Sequence, residues 1–588
     1  MNNLKMLREA MKIENIDYYI IPTSDSHQSE YVAEYFKGRE YISGFTGSAG
    51  TLLVGLEEAY LWTDGRYFIQ AEKELEGSEI SLMKIVTPGY PTINEWISDN
   101  IKANEVLGFD GKLFSINDYE GYLGIAKEVG FTINMDNDLL ESIWGDRPEL
   151  PKNEIFIHDE KYSGKSTREK LKEVRKNIEE KKADYYILSS LDDIAWLCNI
   201  RGTDIKFNPV ALSYVVVGRE YANIYIDNNK VDDITRKKLN LEGIEVKDYG
   251  SIEDDVKLLS GTIILDPSKL NAKIFTSLND KLKVVREANI TTKLKAIKNE
   301  VEIANWEVSQ VRDGVAMVKF IKWLKNSIGK EKITEISASE KLTAFRAQGE
   351  NYKGDSFATI AGYKDHAAMI HYSATKDSEY ELKPEGMFLL DSGAQYLDGT
   401  TDITRTIVLG PITEEEKRDY TLVLQGHIAL ASARFLRGAT GINLDILARR
   451  PLWNYGIDYK CGTGHGVGFF LNVHEGPQGI RPMGNSVELE PGMILTNEPG
   501  VYKKGRFGIR TENTLIVEKD IVSEEFGEFY KFRTISYCPI DLEGVDVEML
   551  SIQEKTWLNE YHKMVFEKLS PYLDEEEKEF LKEETRRI

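Results

Sequence analysis

Hydrophobic and polar residues follow the same order twice in the first half of the chain. A charged helix precedes a short apolar strand at 18–22, and a second charged helix at 167–182 precedes an apolar strand at 183–188. Both strands begin alike, as Asp17-Tyr-Tyr-Ile-Ile and Asp184-Tyr-Tyr-Ile-Leu. The Pro-containing stretch at 144–151 is typical of a linker. We therefore predict two copies of one α/β domain, at residues 1–148 and 149–292.

The pattern changes after residue 293, where long helices alternate with strands. Apolar residues at 301, 304, 308, 311, 315 and 318 predict one face of a long helix. Thr413 and Glu416 form a capping box that predicts a helix running to Gly438. Two charged helices, at 553–569 and 575–587, carry apolar residues that predict a packed extension: Trp557, Tyr561, Val565 and Leu569. We predict a third domain at 293–588.

Composition excludes several classes of protein. At about 100–200 residues per domain, 588 residues allow about three or four domains. The net charge of −23 leaves no basic surplus for binding nucleic acid through its phosphates. No apolar run reaches the length of a membrane span, and the first apolar stretch is too short for a signal-peptide core. The three cysteines lie far apart, which fits neither a disulfide framework nor a zinc ribbon. We expect a cytoplasmic protein.

Five residues in the last third of the chain are candidate metal ligands. Each lies in a short strand-like segment beside Gly, Thr or Pro, and the five are Asp391, Asp402, His465, Glu498 and Glu512. Four carboxylates offset the charge of two divalent cations and can bridge them, and such a pair turns water into a nucleophile. The oxygen-rich set with one imidazole favours Mn, Co or Zn. This chemistry indicates metal-assisted hydrolysis.

The spacing of these residues predicts how they meet. Asp391 ends one apolar strand and Asp402 opens the next, so a hairpin would bring both together. The two-residue period of a strand places Arg510 on the same face as Glu512, where an Arg would orient a ligand carboxylate.

Two further histidines lie close to the ligand segments. His371 precedes the first ligand strand, and His474 follows His465 by nine residues. Each is either a hydrogen-bonded core residue or a donor that stabilises an oxyanion on the substrate carbonyl. Four other histidines lack such context and are interpreted as structural or surface residues: His158, His366, His427 and His562.

These motifs together resemble the M24 "pita-bread" metallopeptidases, and among them the three-domain X-prolyl aminopeptidases. The resemblance covers nearly the whole chain. In the third domain it rests on Ile370-His371-Tyr, Leu390-Asp391-Ser-Gly, Thr401-Asp402-Ile-Thr-Arg-Thr, Gly464-His465-Gly-Val-Gly, Asn472-Val-His474-Glu-Gly-Pro, Asn497-Glu498-Pro-Gly and Arg510-Thr-Glu512-Asn. Nearer the amino terminus it rests on Asp25-Ser-His27-Gln, Gly44-Phe-Thr-Gly, Trp62-Thr-Asp-Gly-Arg66, Leu191-Asp-Asp-Ile-Ala-Trp196 and Arg201-Gly-Thr-Asp.

The resemblance implies a fold and a reaction. It implies two creatinase-N-like α/β domains followed by a pita-bread catalytic domain of the α+β class. It implies a dinuclear site, most often with Mn²⁺, in which Asp402 and Glu512 bridge the ions. A hydroxide between the ions would attack the scissile carbonyl, and Glu498 would serve as general base and acid. The substrate would be a peptide with proline at its second position, and the protein a homodimer.

The resemblance also implies substrate contacts, with one departure. His371, His474 and Arg66 match residues that touch substrate, and Arg510 is a further candidate. Relatives often carry His four residues before the metal histidine, where this chain has Cys461. A prolidase that cuts only dipeptides is the alternative enzyme, and the paired amino-terminal domains argue against it. The other alternative, a catalytically dead peptide-binding protein of this fold, is disfavoured by the complete ligand set.

Overall fold

The computed structural model describes residues 2–484 and 486–588. These form two compact units, one of Met1–Glu160 with Lys165–Thr292 and one of Lys161–Gly164 with Lys293–Ile588. The helices are α1 Asn2–Ile13, α2 Gly38–Ser43, α3 Phe68–Glu74, α4 Ile93–Asn100, α5 Ile116–Val129, α6 Leu140–Ile143, α7 Glu160–Ser163, α8 Thr167–Glu180, α9 Leu191–Leu197, α10 Asp233–Glu242, α11 Ile252–Lys257, α12 Ala272–Ser277, α13 Ile290–Ala296, α14 Glu300–Ser327, α15 Glu335–Arg346, α16 Glu414–Ala431, α17 Gly441–Trp453, α18 Ile552–Leu569 and α19 Glu575–Glu584.

The strands of the first unit are β1 Tyr18–Pro22, β2 Thr51–Gly55, β3 Ala59–Thr63, β4 Ile80–Lys84, β5 Val106–Gly108, β6 Thr132–Asn134, β7 Phe156–Ile157, β8 Tyr185–Leu188, β9 Ile200–Arg201, β10 Ser213–Gly218, β11 Ala222–Ile226, β12 Glu245–Lys247, β13 Thr262–Leu265 and β14 Lys283–Arg286. Those of the second are β15 Tyr352–Asp355, β16 Ile360–Tyr363, β17 Met387–Ser392, β18 Ala394–Tyr396, β19 Gly399–Thr400, β20 Ile403–Val408, β21 Arg434–Leu436, β22 Gly464–Gly466, β23 Glu475–Ile480, β24 Ile494–Asn497, β25 Gly500–Lys503, β26 Phe507–Arg510, β27 Asn513–Ser523 and β28 Gly527–Thr534.

The first unit contains the same six-stranded sheet twice. The strand orders are β4-β3-β2-β1-β5-β6 and β12-β11-β10-β8-β13-β14. The two Tyr-Tyr-Ile strands, β1 and β8, occupy the same central position. Each pairs antiparallel with one neighbour and parallel with the other. The prediction of two copies of one α/β domain is confirmed.

The amino-terminal histidine motif has a structural role in this unit. His27 is buried, and its Nδ1 and Nε2 lie 2.9 Å from the Ser189 carbonyl oxygen and the Tyr249 hydroxyl, respectively. Burial lowers the pKa of His27 to about 4, so the ring is neutral near pH 7. His27 therefore links the domain that contains the first sheet to the domain that contains the second.

The second unit places its strands where the candidate ligands lie. One sheet has the order β16-β17-β20 and a larger one has the order β21-β28-β27-β24-β22-β23. α18 and α19 of the tail pack with α16 into one core, in which Val565 and Leu569 lie against the same cluster as Tyr420. The predicted packed extension is therefore confirmed. No helix among residues 2–484 and 486–588 is long and apolar enough to cross a bilayer.

The predicted long helix is present as α14, but the face that it buries differs from the apolar one. The first half of α14 exposes Val301 and Val308 and buries Trp306 instead. Trp306 packs against Phe469, and the helix also buries Asp313, whose carboxylate pairs with Arg346. The spacing of apolar residues cannot predict a helix face that is buried by pairs of polar side chains.

The helix that begins at the Thr413 capping box ends at Ala431 and does not reach Gly438. Both hydrogen bonds of the predicted box are present, between Thr413 and Glu416. The helix is shorter because the following residues form β21, which pairs antiparallel with β28. A sheet partner from about a hundred residues further along the chain overrides the local helical pattern.

Candidate metal centre

A β-hairpin brings the first two candidate ligands together. Asp391 lies near the end of β17 and pairs in register with Thr404, while Asp402 immediately precedes β20. The hairpin closes tightly, since a Cβ on Gly393 would lie 2.0 Å from the Thr401 carbonyl oxygen. The glycine two residues after Asp391 is therefore a packing requirement. The predicted hairpin is confirmed.

The other three candidates lie at the ends of adjacent strands in the larger sheet. His465 is in β22, Glu498 follows β24 and Glu512 precedes β27. A Cβ on Gly464 would lie 2.0 Å from the Thr496 carbonyl oxygen, so the glycine before His465 lets β22 approach β24. The two sheets meet where the Glu512 amide donates to the Thr404 carbonyl oxygen at 3.1 Å.

The side chains converge from these positions. Asp402, His465 and Glu512 each offer a ligand atom, and these atoms lie within 4.8 Å of one another. His465 Nε2 lies 3.4 Å from Asp402 Oδ2 and 3.6 Å from Glu498 Oε1. Asp391 is close enough for the charges of Asp402 and Glu498 to act on it. All five candidate ligands therefore border one buried region.

The electrostatics of this region are those of a site that attracts cations. Burial, with the charges of Asp402 and Glu498 added, raises the pKa of Asp391 to about 6, against the opposing effect of Arg510. Burial and the neighbouring carboxylates raise the pKa of Glu512 well above its ordinary value. Burial likewise raises the pKa of Glu498. Carboxylates held this close repel one another unless positive charge lies between them.

The orientation of His465 suits a ligand. Its Nδ1 donates to the Gly466 carbonyl oxygen at 2.8 Å, so that Nε2 faces Asp402 and Glu498. A hydrogen bond of this kind fixes the tautomer of a metal-binding histidine. Burial lowers the pKa of His465, but the hydrogen bond with Asp402 and the charge of Glu498 raise it to about 9.

Arg510 organises one side of the region. It is almost fully buried, and its Nη2 lies 2.5 Å from Asp391 Oδ2. Its Nη1 donates to the Tyr502 hydroxyl at 2.7 Å, and its Nε donates to Thr404 Oγ1 at 3.2 Å. The carboxylate that Arg510 orients is thus Asp391. The predicted strand shared by Arg510 and Glu512 is wrong, because β26 ends at Arg510 and β27 begins at Asn513. Tyr502 had no signal in the sequence beyond its position four residues after Glu498.

The predicted substrate residues lie in different parts of the molecule. The His474 ring stands edge-on to His465, with 4.4 Å between the ring centroids. His371 follows Ile370, whose carbonyl oxygen accepts from Arg510 Nη2 at 3.5 Å. Arg66 belongs to the first unit, where it donates to Asp64 Oδ2 at 2.8 Å. Substrate contact by His371, His474, Arg66 and Arg510 stays a prediction.

The four histidines without sequence context are all buried, namely His158, His366, His427 and His562. The alternative of a surface position is therefore wrong for all four. His427 is in direct contact with a ligand strand. Its Nδ1 and the Asn497 carbonyl oxygen are 3.1 Å apart.

Cys461 borders the same region. It is half-buried, and burial together with the charge of Glu498 raises the pKa of its thiol to about 12. Since the five candidate ligands already form the predicted metal site, we expect Cys461→Ser to keep the metal content and to change kcat/KM only modestly. Cys461→His should be tolerated if the pocket has room for the ring. Elemental analysis and steady-state kinetics check this, and loss of metal from Cys461→Ser would make the thiol a ligand.

Comparison with known proteins agrees with this geometry. The profile described as "Metallopeptidase family M24" matches residues 306–519, and "C-terminal region of peptidase_M24" matches residues 528–588. Profiles of the "Creatinase/Prolidase N-terminal domain" match residues 3–133 and 146–302, one for each copy of the repeated sheet.

Relatives extend over the full length. Xaa-Pro aminopeptidase 1 of Dictyostelium discoideum is 41% identical and covers 97% of this chain and 93% of its own length. A probable Xaa-Pro aminopeptidase P of Paracoccidioides lutzii is 40% identical and covers 100% and 98%. The X-prolyl aminopeptidase of Caenorhabditis elegans, described as a cytosolic enzyme with a di-nuclear active site, has a TM-score of 0.96 at 33% identity and covers both chains fully.

Proposed function

Because this chain belongs to metallopeptidase family M24, in its X-prolyl aminopeptidase group, we propose that it removes the first residue of peptides whose second residue is proline. The observation that carries the proposal is the convergence of Asp402, His465 and Glu512 within 4.8 Å, at the edge of a region that also borders Asp391 and Glu498. The matches over the full length point the same way, since they include both amino-terminal domains.

The five converging residues are proposed to hold two divalent ions, most often Mn²⁺, with Co²⁺ or Zn²⁺ as alternatives. One buried atom supports the fit: Asp391 Oδ1 has no hydrogen-bond partner among the residues that the structure describes. A ligand position would satisfy it, since buried polar atoms are rarely left unpaired. Asp402 and Glu512 are the proposed shared ligands. When bound, such ions lower the pKa of water and polarise the scissile carbonyl.

Glu498 is the proposed general base and acid. Its side chain is 20% exposed, against 10% for Asp391 and 5% for Asp402, so it is the most accessible of these three carboxylates. Burial raises its pKa toward neutrality, where a general base works best. Glu498 would take the proton of the attacking water and deliver it to the nitrogen of the leaving proline.

His371 and His474 are the proposed donors to the substrate carbonyl. His474 is held beside the ligand His465, and the segment before His371 is held by Arg510 through the Ile370 carbonyl oxygen. Donors in fixed positions stabilise the negative charge that develops on the carbonyl oxygen during attack.

A peptide panel tests the proposed function. Tripeptides with proline second should be cleaved after their first residue, and the matched peptides with alanine second should not. Faster cleavage of the X-Pro dipeptide than of the tripeptide would favour a prolidase. Binding without cleavage in the presence of Mn²⁺ would favour a peptide-binding protein.

Arg66 is proposed to contact substrate from the first unit. In the structure it pairs with Asp64, and Glu30 lies 3.8 Å away, so a purely structural ion pair is the alternative. We expect Arg66→Ala to raise KM and to keep both metal ions and the folded state. Steady-state kinetics on X-Pro peptides of different lengths check this. Unchanged kcat/KM across all lengths would assign Arg66 to the ion pair alone.

A homodimer in the cytoplasm is the proposed assembly and location, with domains at 1–148, 149–292 and 293–588. One face of α17 and the residues after it expose four large apolar side chains: Ile442, Ile446, Trp453 and Tyr455. Apolar patches of this kind mark contact surfaces. Ile446→Glu should therefore halve the mass measured by light scattering. Val522→Glu, which changes an exposed valine elsewhere in the unit, is the control, and a monomeric unmodified protein would contradict the proposal.

A further inference from the structure

His427 lies between the two strand ends that carry the glutamates of the metal centre. It belongs to α16 and is fully buried. Asn497 precedes Glu498, Asn513 follows Glu512, and the two asparagines are directly opposite each other in the pairing of β24 with β27. One imidazole contacts both. Its Nδ1 is 3.1 Å from the Asn497 carbonyl oxygen, and its Nε2 is 3.1 Å from Asn513 Nδ2.

The surrounding groups allow only one arrangement of these hydrogen bonds. Arg405 Nη2 donates to Asn513 Oδ1 at 2.8 Å, and because a guanidinium only donates, this contact fixes the orientation of the amide. Asn513 Nδ2 therefore donates to His427 Nε2, so the proton of the neutral ring is on Nδ1. That proton is donated to the Asn497 carbonyl oxygen, and Asn497 Nδ2 donates back to the His427 carbonyl oxygen at 2.9 Å.

The same network holds the backbone of the second glutamate. Arg405 Nη1 donates to the Glu512 carbonyl oxygen at 2.7 Å. The tail closes the network, because the Tyr561 hydroxyl donates to Asn513 Oδ1 at 3.2 Å and Trp557 stands edge-on to the His427 ring. A shift of either glutamate along the direction of the adjoining strand would break a bond to His427 or to its partners.

We propose that His427 is a positioning residue for the metal centre. Its imidazole sets the distance between the backbones of Glu498 and Glu512, and thereby the separation at which their carboxylates hold two cations. The inference rests on the proposed function only in assigning Glu498 and Glu512 as ligands. Partners that orient ligands are typically worth about 10–100-fold in metal affinity or activity.

Three substitutions separate the two contacts of the ring. His427→Asn places an amide N–H near the position of the ring Nδ1 and keeps the bond to the Asn497 carbonyl oxygen. His427→Gln places an amide oxygen near the position of the ring Nε2 and keeps the bond from Asn513. His427→Leu removes both bonds at similar volume. If His427→Leu does not fold, His427→Asn and His427→Gln still decide the matter, because each keeps one bond.

A second buried histidine supplies the matched control. His562 is almost equally buried, and its Nε2 accepts from the Ile540 amide at 3.1 Å and not from Asn497 or Asn513. His562→Leu should lower the melting temperature about as much as His427→Leu does. A change confined to the His427 variants therefore reports on the metal centre and not on general stability.

The experiment measures Mn²⁺ affinity by competition with a chelating indicator, together with the melting temperature of the metal-free protein. We expect His427→Leu to weaken Mn²⁺ binding at least about tenfold, with smaller losses for Asn and Gln, and His562→Leu to bind as the unmodified protein does. Equal Mn²⁺ affinity in the His427 and His562 variants would overturn the proposal. If the unmodified protein binds Mn²⁺ and does not cleave X-Pro peptides, the proposed function fails while this comparison still decides the role of His427.

Discussion

Removal of divalent cations by a chelator is expected to abolish hydrolysis of X-Pro peptides, and Mn²⁺ is expected to restore it. Burial and mutual repulsion raise the pKa values of Asp391, Glu498 and Glu512, so the ligand region is built for a positive charge that His465 and Arg510 supply only in part. Without cations the attacking water keeps its ordinary pKa, which lies about 9 units above that of metal-bound water, so Glu498 alone cannot generate hydroxide near neutral pH. Activity is measured after exhaustive dialysis and again after stepwise addition of Mn²⁺.

Two substitutions to asparagine in the same hairpin test this prediction, one at a candidate ligand and one as its control. Asp402→Asn should lose metal and activity together. Asp398→Asn should keep both, because that carboxylate is buried in the same hairpin but pairs with Arg312 at 3.0 Å. Full hydrolysis by a sample that mass spectrometry finds free of metal would rule out the metal-dependent mechanism.

Glu498→Gln is expected to lower kcat by at least the roughly 10²–10⁴-fold that a general base contributes. The amide keeps the size of the side chain and an oxygen that can bind a cation, but it cannot take up a proton at neutral pH. Glu498 is the most accessible of the four candidate carboxylates, because Asp391, Asp402 and Glu512 are all buried, so no neighbour is better placed to replace it. The measurement is kcat with metal content determined on the same sample.

Glu490→Gln is the control for this second prediction. Glu490 lies in the segment that leads into β24, and it pairs with Lys293 on the surface at 2.8 Å. Its substitution should leave kcat unchanged. A fall of less than about tenfold for Glu498→Gln, with both ions retained, would assign the proton transfer to another group.

The sequence by itself determined the local structure and the chemistry of this protein. The capping box at Thr413, the hairpin between Asp391 and Asp402 and the repeated Tyr-Tyr-Ile strands were all predicted from it. Such features depend on residues that are close together in the chain. Their hydrogen bonds and the alternation of side chains along a strand can be read from the local sequence. The candidate ligand set could also be proposed from the sequence, because its chemistry depends on residue types that short motifs display.

Only the tertiary structure decided which distant groups surround these motifs. Arg510 orients Asp391 from 119 residues away, and His427 reaches Asn497 and Asn513 from 70 and 86 residues away. The buried face of α14 and the early end of α16 depend likewise on partners elsewhere in the chain. The spacing of apolar residues indicates which side of a segment is buried. It does not identify the polar partner of a side chain, which is determined only when two strands and a helix pack together. That is why His427 had no signal in the sequence and occupies a central position in the structure.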